Sequence, residues 1–136
     1  EVFRFTESKN ALIFKKGNET LKIEAWGNDS FRVRSTMDIS FIDRTWALTE
    51  KINFGSAKIS KTQNGYSIVN GKLEAKVNNG GVISFYKDGK EILHEYFRAY
   101  DQTAKKESCC TKIINSQWQG ITGGDYKLTV RFNPNY

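Results

Sequence analysis

The chain has 136 residues, 38% of them hydrophobic, and carries a formal net charge of +6, which fits one folded domain with a sizeable core. No apolar run approaches the ~20 residues that cross a bilayer, so we expect no membrane partner. The charge is spread evenly, with eleven Lys/Arg against eight Asp/Glu in residues 1–68 and ten against seven in residues 69–136, whereas nucleic-acid binding needs clustered cations.

Residues 21–36 carry the clearest local pattern. Apolar side chains alternate with charged ones up to Ala25, and the alternation is interrupted at Gly27-Asn28-Asp29. It resumes with Phe31 and Val33, which alternate with two arginines. A period of two is typical of a half-buried strand, and the interruption supplies a tight turn. The segment therefore predicts a β-hairpin. The side chains expected to face a core are Leu21, Ile23, Ala25, Phe31 and Val33.

The same alternation recurs along the chain, separated by turns rich in Gly, Asn and Asp. No window keeps the spacing of an amphipathic helix for more than about one turn. The pattern predicts an all-β fold, a two-sheet antiparallel β-sandwich that forms a single domain over residues 1–136. The apolar strand positions are Leu12, Phe14, Ile59, Tyr66, Ile68, Leu73, Ala75, Val77, Ile83, Phe85, Ile92, Leu93, Tyr126, Leu128, Val130 and Phe132.

Two segments interrupt this rhythm, Asp38–Ser56 and Tyr96–Gly120. Both are longer than an ordinary hairpin connection, and we expect both to be loops. Long ordered loops are where binding residues concentrate, so functional residues are expected there first.

Residues with catalytic or metal-binding chemistry are few. Cys109 and Cys110 are adjacent, so a bridge between them would be a strained vicinal disulfide, and free thiols are the expected state. They cannot supply the four ligands of a structural zinc site. The single histidine, His94, follows an apolar strand segment and is expected at the surface or in packing, although Glu91 or Glu95 could pair with it as an acid–base unit. No cofactor, metal site or catalytic residue is predicted.

The three tryptophans are the stronger signal. Trp26 falls on the charged side of its strand, Trp46 lies in the first long loop, and Trp118 lies in the second, next to Gln117. Flat aromatic faces beside amide groups suit sugar rings, whose C–H faces are apolar and whose hydroxyls need hydrogen bonds. The alternative is that these side chains cover sheet edges or pack against another domain.

Four segments together resemble a known family. They are LKIEAWGNDSFRVRST at 21–36, TWALT at 45–49, GKLEAKVNNGGVISFYKDGKEILHE at 71–95 and GGDYKLTVRF at 123–132. In order and spacing they are similar to the N-terminal β-sandwich of family 31 glycoside hydrolases, most of all the α-xylosidases and α-glucosidases. Ala25 stands where that family often has Pro, and Thr45 where an acidic residue often precedes Trp-Ala-Leu.

The resemblance implies a galactose-mutarotase-like sandwich without catalytic residues. In that family both catalytic aspartates lie in a following (β/α)8 barrel, so none can be assigned here and the chain alone is expected to be inactive. The expected partners are this C-terminal barrel and carbohydrate, with self-association when the barrel is missing. The segment Tyr96–Gly120 would contribute to the active-site rim, with Gln117 and Trp118 as its contact residues.

Two other functions stay open. A free-standing carbohydrate-binding module would use Trp26, Trp46 or Trp118 as its platform and needs no barrel. A mutarotase-like epimerase would need a histidine acid and a carboxylate base in one cleft, and the single histidine and short chain disfavour it.

Overall fold

The computed structural model describes residues 3–37, 41, 57–95, 116–120, 126–130 and 132–134. These residues form twelve strands. The described part of the chain contains no helix long and apolar enough to span a membrane. The strands are β1 (Phe3–Ser8), β2 (Ala11–Lys16), β3 (Glu19–Ala25), β4 (Phe31–Thr36), β5 (Lys58–Lys61), β6 (Gly65–Asn70), β7 (Leu73–Asn78), β8 (Ile83–Lys87), β9 (Lys90–Glu95), β10 (Ser116–Gly120), β11 (Tyr126–Val130) and β12 (Phe132–Pro134).

The strands build two main antiparallel sheets. The first has the order β1-β2-β3-β4, and the second has the order β12-β9-β8-β7-β6-β5. Strands β10 and β11 pair with each other as a separate two-stranded sheet. Because most neighbours in the main sheets are also consecutive in sequence, short turns suffice to connect them. The predicted all-β sandwich is confirmed.

The core lies between the two main sheets. Leu12 and Ile23 of the first sheet and Ile68 and Val77 of the second are completely or almost completely buried. The period-two alternation predicted from the sequence therefore places these side chains correctly on the inner faces. The whole buried cluster is Leu12, Phe14, Leu21, Ile23, Ile68, Ala75, Val77 and Ile83.

Val33, which was predicted to face the core, is exposed instead, and so are Ile92 and Phe132, two of the apolar strand positions. Val33 lies opposite the buried Ile23, but β4 is the last strand of its sheet and Val33 is 41% exposed. Ile92 is 38% exposed because it falls in a β-bulge: Tyr86 pairs with Glu91 and Phe85 with Leu93, which leaves Ile92 without an opposite residue. The prediction for Val33 was wrong because the burial of a strand residue depends on the strands beside it, which the local alternation does not reveal.

The predicted loop Tyr96–Gly120 does not extend to its last residue. Ser116–Gly120 is strand β10, and Trp118 lies opposite Leu128 of β11. Residues 96–115 lie outside the described part of the chain, as does the other predicted loop, Asp38–Ser56, apart from Phe41.

A set of hydrogen bonds, here called the clasp, joins the two sheets at the β3–β4 and β6–β7 turns. The Asn70 side-chain amide donates to the carbonyls of Gly27 and Ser30, at 2.9 and 2.8 Å. The Lys72 backbone N–H donates to Asp29 Oδ1 at 2.7 Å. Because Asn70 is only 4% exposed, its two bonds are largely shielded from water, whereas the Lys72–Asp29 bond is exposed. Together the three bonds fix the turns relative to each other.

Candidate functional site

Trp26 follows β3 and is held in place by the turn. Its backbone N–H donates to the Ser30 carbonyl at 3.1 Å, and the Ser30 hydroxyl donates back to the Trp26 carbonyl. The half-buried indole lies against Arg32, whose guanidinium carbon is 4.6 Å from a ring centroid. A cation–π contact of this kind occupies ring surface that a sugar would need.

A charge cluster lies next to Trp26 on the outer face of the first sheet. Glu24 is opposite Arg32, and Lys22 is opposite Arg34, so all four side chains share that face. Glu24 Oε1 is 3.0 Å from Arg34 Nη2 and 3.9 Å from Arg32 Nε, while Glu24 Oε2 is 3.8 Å from Lys22 Nζ. Although Glu24 lies on the charged side of its strand, it is only 9% exposed.

This cluster is unsuited to hydrolysis of a glycosidic bond. Three cations surround one carboxylate, which leaves two positive charges in excess. Hydrolysis of a glycosidic bond uses two carboxyl groups ~5–10 Å apart, whereas the groups paired with Glu24 are all cationic. Arg34 Nε is buried, and the described residues place no acceptor within its reach. The Phe41 ring covers the guanidinium, with its centroid 4.8 Å from the Arg34 Cζ atom.

The structure brings His94 next to one of the two glutamates predicted as its partners. His94 Nδ1 is 3.4 Å from Glu91 Oε1. Residues three apart on a regular strand point to opposite faces, and the bulge at Ile92 is what turns both side chains to the same side. Glu95, the other candidate, is 4% exposed and accepts a hydrogen bond from the Ile83 N–H at 3.1 Å.

The described residues contain no group of three or more His, Cys, Asp or Glu side chains that would hold a metal ion. Trp46, Cys109 and Cys110 lie outside the described part of the chain. Gln117 and Trp118 are consecutive residues of β10. Of the four predicted sugar contacts, Trp26 is therefore the one whose surroundings are known.

An aromatic cluster near the chain start was not predicted from the sequence. Phe5 of β1 lies 4.5 Å from Tyr66 of β6 and 4.9 Å from Phe14 of β2, measured between ring centroids. Phe3 lies 6.2 Å from Phe14 with the rings nearly parallel. The alternation of Phe3 and Phe5 with Arg4 and Thr6 is the signal that would have indicated an inward-facing pair.

A cavity of about 370 Å³ opens above this cluster, between edge strands β1 and β5. It is lined by Phe3, Arg4, Phe5, Lys61, Thr62, Gln63, Gly65, Tyr66 and Asn79. A second cavity, of about 450 Å³, lies on the outer face of the second sheet beside Tyr86. There the Lys76 ammonium group is 4.4 Å from the Tyr86 ring centroid and occupies ring surface, as Arg32 does at Trp26.

Comparison with known proteins confirms the resemblance to family 31 glycoside hydrolases, although no family model matches the chain. An uncharacterized family 31 glucosidase, ORF2, of Pseudescherichia vulneris is 29% identical over 135 residues, which covers 93% of this chain and 25% of that protein. The crystal structure of a GH31 α-xylosidase from a soil metagenome, complexed with xylose, matches with a TM-score of 0.82 and 31% identity. That match covers 95% of this chain and 20% of the α-xylosidase chain. The chain thus spans a quarter or less of the length of these relatives.

Proposed function

We propose that the chain is the N-terminal, non-catalytic domain of a family 31 α-glycosidase whose parent enzyme hydrolyses the O-glycosidic bonds of α-glucosides or α-xylosides. One observation carries the proposal: nearly all of this chain matches two family 31 glycosidases, yet it accounts for only 25% and 20% of their lengths. A segment of that size is a domain of such an enzyme, and the remaining three quarters would hold the barrel.

In this proposal the sandwich supports the barrel and contributes to the rim of its active site. Strands β10 and β11 pair with each other and, in the described part of the chain, with neither main sheet. A separate two-stranded sheet is the kind of element that can extend towards a neighbouring domain. This supports Gln117 and Trp118, both on β10, as rim residues.

The surroundings of the buried carboxylates favour a non-catalytic role. Glu24 is paired with Lys22, Arg32 and Arg34, and Glu95 accepts a hydrogen bond from the main chain. Carboxylates engaged in this way stabilise structure. Catalytic carboxyl groups instead face a cleft in pairs, and their different environments keep one group protonated and the other ionised.

Activity assays test the proposal. The purified 136-residue chain should release no p-nitrophenol from p-nitrophenyl α-D-xyloside or α-D-glucoside, because in this proposal the catalytic acids lie in the barrel. The product of the full reading frame that contains these residues should hydrolyse one of the two. Turnover that co-elutes with the 136-residue chain in size exclusion would contradict the non-catalytic assignment. A reading frame without a barrel would instead favour the free-standing carbohydrate-binding module.

We also propose that the isolated domain self-associates through its sheet edges. Val33 on edge strand β4 and Phe132 on edge strand β12 are 41% and 44% exposed, and exposed apolar edge strands pair with other chains. Sedimentation velocity should show a concentration-dependent increase in mass that Val33→Lys reduces. The matched change Ser60→Lys, on edge strand β5 where no large apolar side chain is replaced, should leave it unaltered. A strictly monomeric wild type at all concentrations would contradict this proposal.

A further inference from the structure

We propose that the cavity between edge strands β1 and β5, here called the aromatic groove, binds one face of a pyranose sugar. The groove consists of an aromatic floor (Phe3, Phe5 and Tyr66) and an amide rim (Gln63 and Asn79). It is a different place from Trp26 and from the β10 strand. The inference does not depend on the proposed function, because it concerns only residues of the sandwich itself.

The floor presents exposed aromatic surface at Phe3. Phe3 and Phe14 are nearly parallel, with an interplanar angle of 24°, but their centroids are 6.2 Å apart, so the rings are offset. Phe14 is only 3% exposed, whereas Phe3 is 39% exposed and lines the groove. Exposed ring surface of this kind can stack on the apolar C–H face of a pyranose.

The floor is rigid because it joins the two sheets. Phe5 contacts Phe14 within its own sheet and Tyr66 across the sandwich, at 4.9 and 4.5 Å between centroids. Phe3 meets Phe5 edge to face, with the centroids 6.0 Å apart. Each ring is therefore held by another, and binding would require little ordering of the floor.

The rim provides hydrogen-bonding side chains on turns whose backbone is hydrogen-bonded. Gln63 and Asn79 are exposed, and each amide offers both a donor and an acceptor, as hydroxyl recognition requires. The Asn79 N–H donates to the Asn64 carbonyl at 2.7 Å, and the Thr62 N–H donates to the Gly65 carbonyl at 2.9 Å. The first bond joins the two rim turns and the second closes the β5–β6 turn, so the backbone that carries both amides is held beside the floor.

The other aromatic residues with cations nearby are less suitable. Arg32 lies over Trp26 and Lys76 over Tyr86, so a sugar would have to displace a cation from each ring. Arg4 and Lys61 also line the aromatic groove, but among the described residues neither makes a cation–π contact with Phe3, Phe5 or Tyr66. The groove volume of about 370 Å³ falls in the ~300–1,000 Å³ range of small-molecule sites.

Titration followed by two-dimensional NMR tests this inference on the 136-residue chain. D-xylose and D-glucose are added to about 50 mM, a concentration that detects millimolar affinity. Sorbitol serves as the control ligand, because it carries the same hydroxyl chemistry without a ring face. We expect saturable shifts of the Phe3 and Phe5 ring signals and of the Gln63 and Asn79 side-chain amides with the two sugars, and none with sorbitol.

Three variants locate the binding. Phe3→Ala should weaken it about tenfold, since it removes the exposed ring surface. Phe132→Ala, which truncates an equally exposed phenylalanine on β12, and Trp26→Ala should leave the affinity unchanged. If Phe3→Ala does not fold, Gln63→Ala replaces it, with an expected loss of about threefold. No saturable shift, equal shifts with sorbitol, or shifts confined to the Trp26 indole would each overturn the proposal.

Discussion

The two main sheets are joined in different ways at the two ends of strand β6. At Asn70 the clasp joins the sheets by hydrogen bonds from a nearly inaccessible amide and from the Lys72 N–H. At Gly65 and Tyr66 the sheets meet through aromatic rings, and a cavity stays open beside them. Strand β6 therefore ends in buried hydrogen bonds at Asn70 and beside an accessible groove at Gly65 and Tyr66.

The comparison shows how hydrogen bonds and ring contacts differ in the packing geometry that they impose on a β-sandwich. Hydrogen bonds between buried polar groups require particular distances and leave little room for a ligand. Ring contacts tolerate several geometries and leave ring surface exposed when the last ring lies at an edge. A binding surface is therefore expected at the aromatic end, whereas the clasp end serves stability.

The largest effect is expected from truncating the innermost ring of the aromatic end. Phe14→Ala should lower the free energy of unfolding by about 4 kcal/mol, because a buried phenylalanine leaves a cavity. Phe3→Ala should cost about 1 kcal/mol or less, since Phe3 is 39% exposed. Urea denaturation of both variants measures the two values. Equal losses would show that Phe3 is a core residue and that the groove is not a surface.

The next largest effect is expected at Gly65, beside the groove. A Cβ atom there would lie 1.9 Å from the Val77 carbonyl oxygen, which belongs to the neighbouring strand and cannot move alone. Gly65→Ala should cost about 3 kcal/mol, at the upper end for overpacking. Gly89→Ala is the matched control, because an added Cβ atom at Gly89 would meet no atom within 4 Å. Its positive φ of 79° alone should lower the free energy of unfolding by about 1 kcal/mol. Thermal unfolding that ranks Gly89→Ala as the worse variant would contradict the β6–β7 packing.

The smallest of the three effects is expected at the clasp. Asn70→Ala removes two hydrogen bonds at a cost of about 2 kcal/mol: the Gly27 carbonyl loses the Asn70 donor, whereas the Ser30 carbonyl keeps its bond from the Trp26 N–H. Asn79→Ala, at an exposed asparagine on the groove rim, should change the stability by about 0.5 kcal/mol or less. Chemical denaturation measures both. Amide exchange in the β3–β4 turn should also accelerate in Asn70→Ala alone, and an unchanged exchange rate would show that the turns hold without the clasp.

Part of the candidate site was accessible to sequence reasoning. The alternation around Trp26 placed it on the charged side of its strand, next to Glu24, and the contact with Arg32 agrees with this. The contact itself was not predictable, because Arg32 reaches the indole only through the register that sets it opposite Glu24. The aromatic groove depends on Phe5 and Tyr66, which are distant in sequence and meet across two sheets.

The sequence by itself determined most of the strands and turns and the inner faces of the central strands, because the period of two and the turn residues are local properties. Strands β1 and β10 were not predicted from it. Ile23, Ala75 and Val77 are buried as their alternation predicts. Tertiary structure decided what happens at edges and irregularities: Val33 is exposed because β4 ends its sheet, and the bulge at Ile92 turns Glu91 and His94 to one side. It also buried Glu24 among three cations and left Phe3 open to solvent. These outcomes depend on which strand lies opposite which, and that pairing is set by the packing of the whole domain.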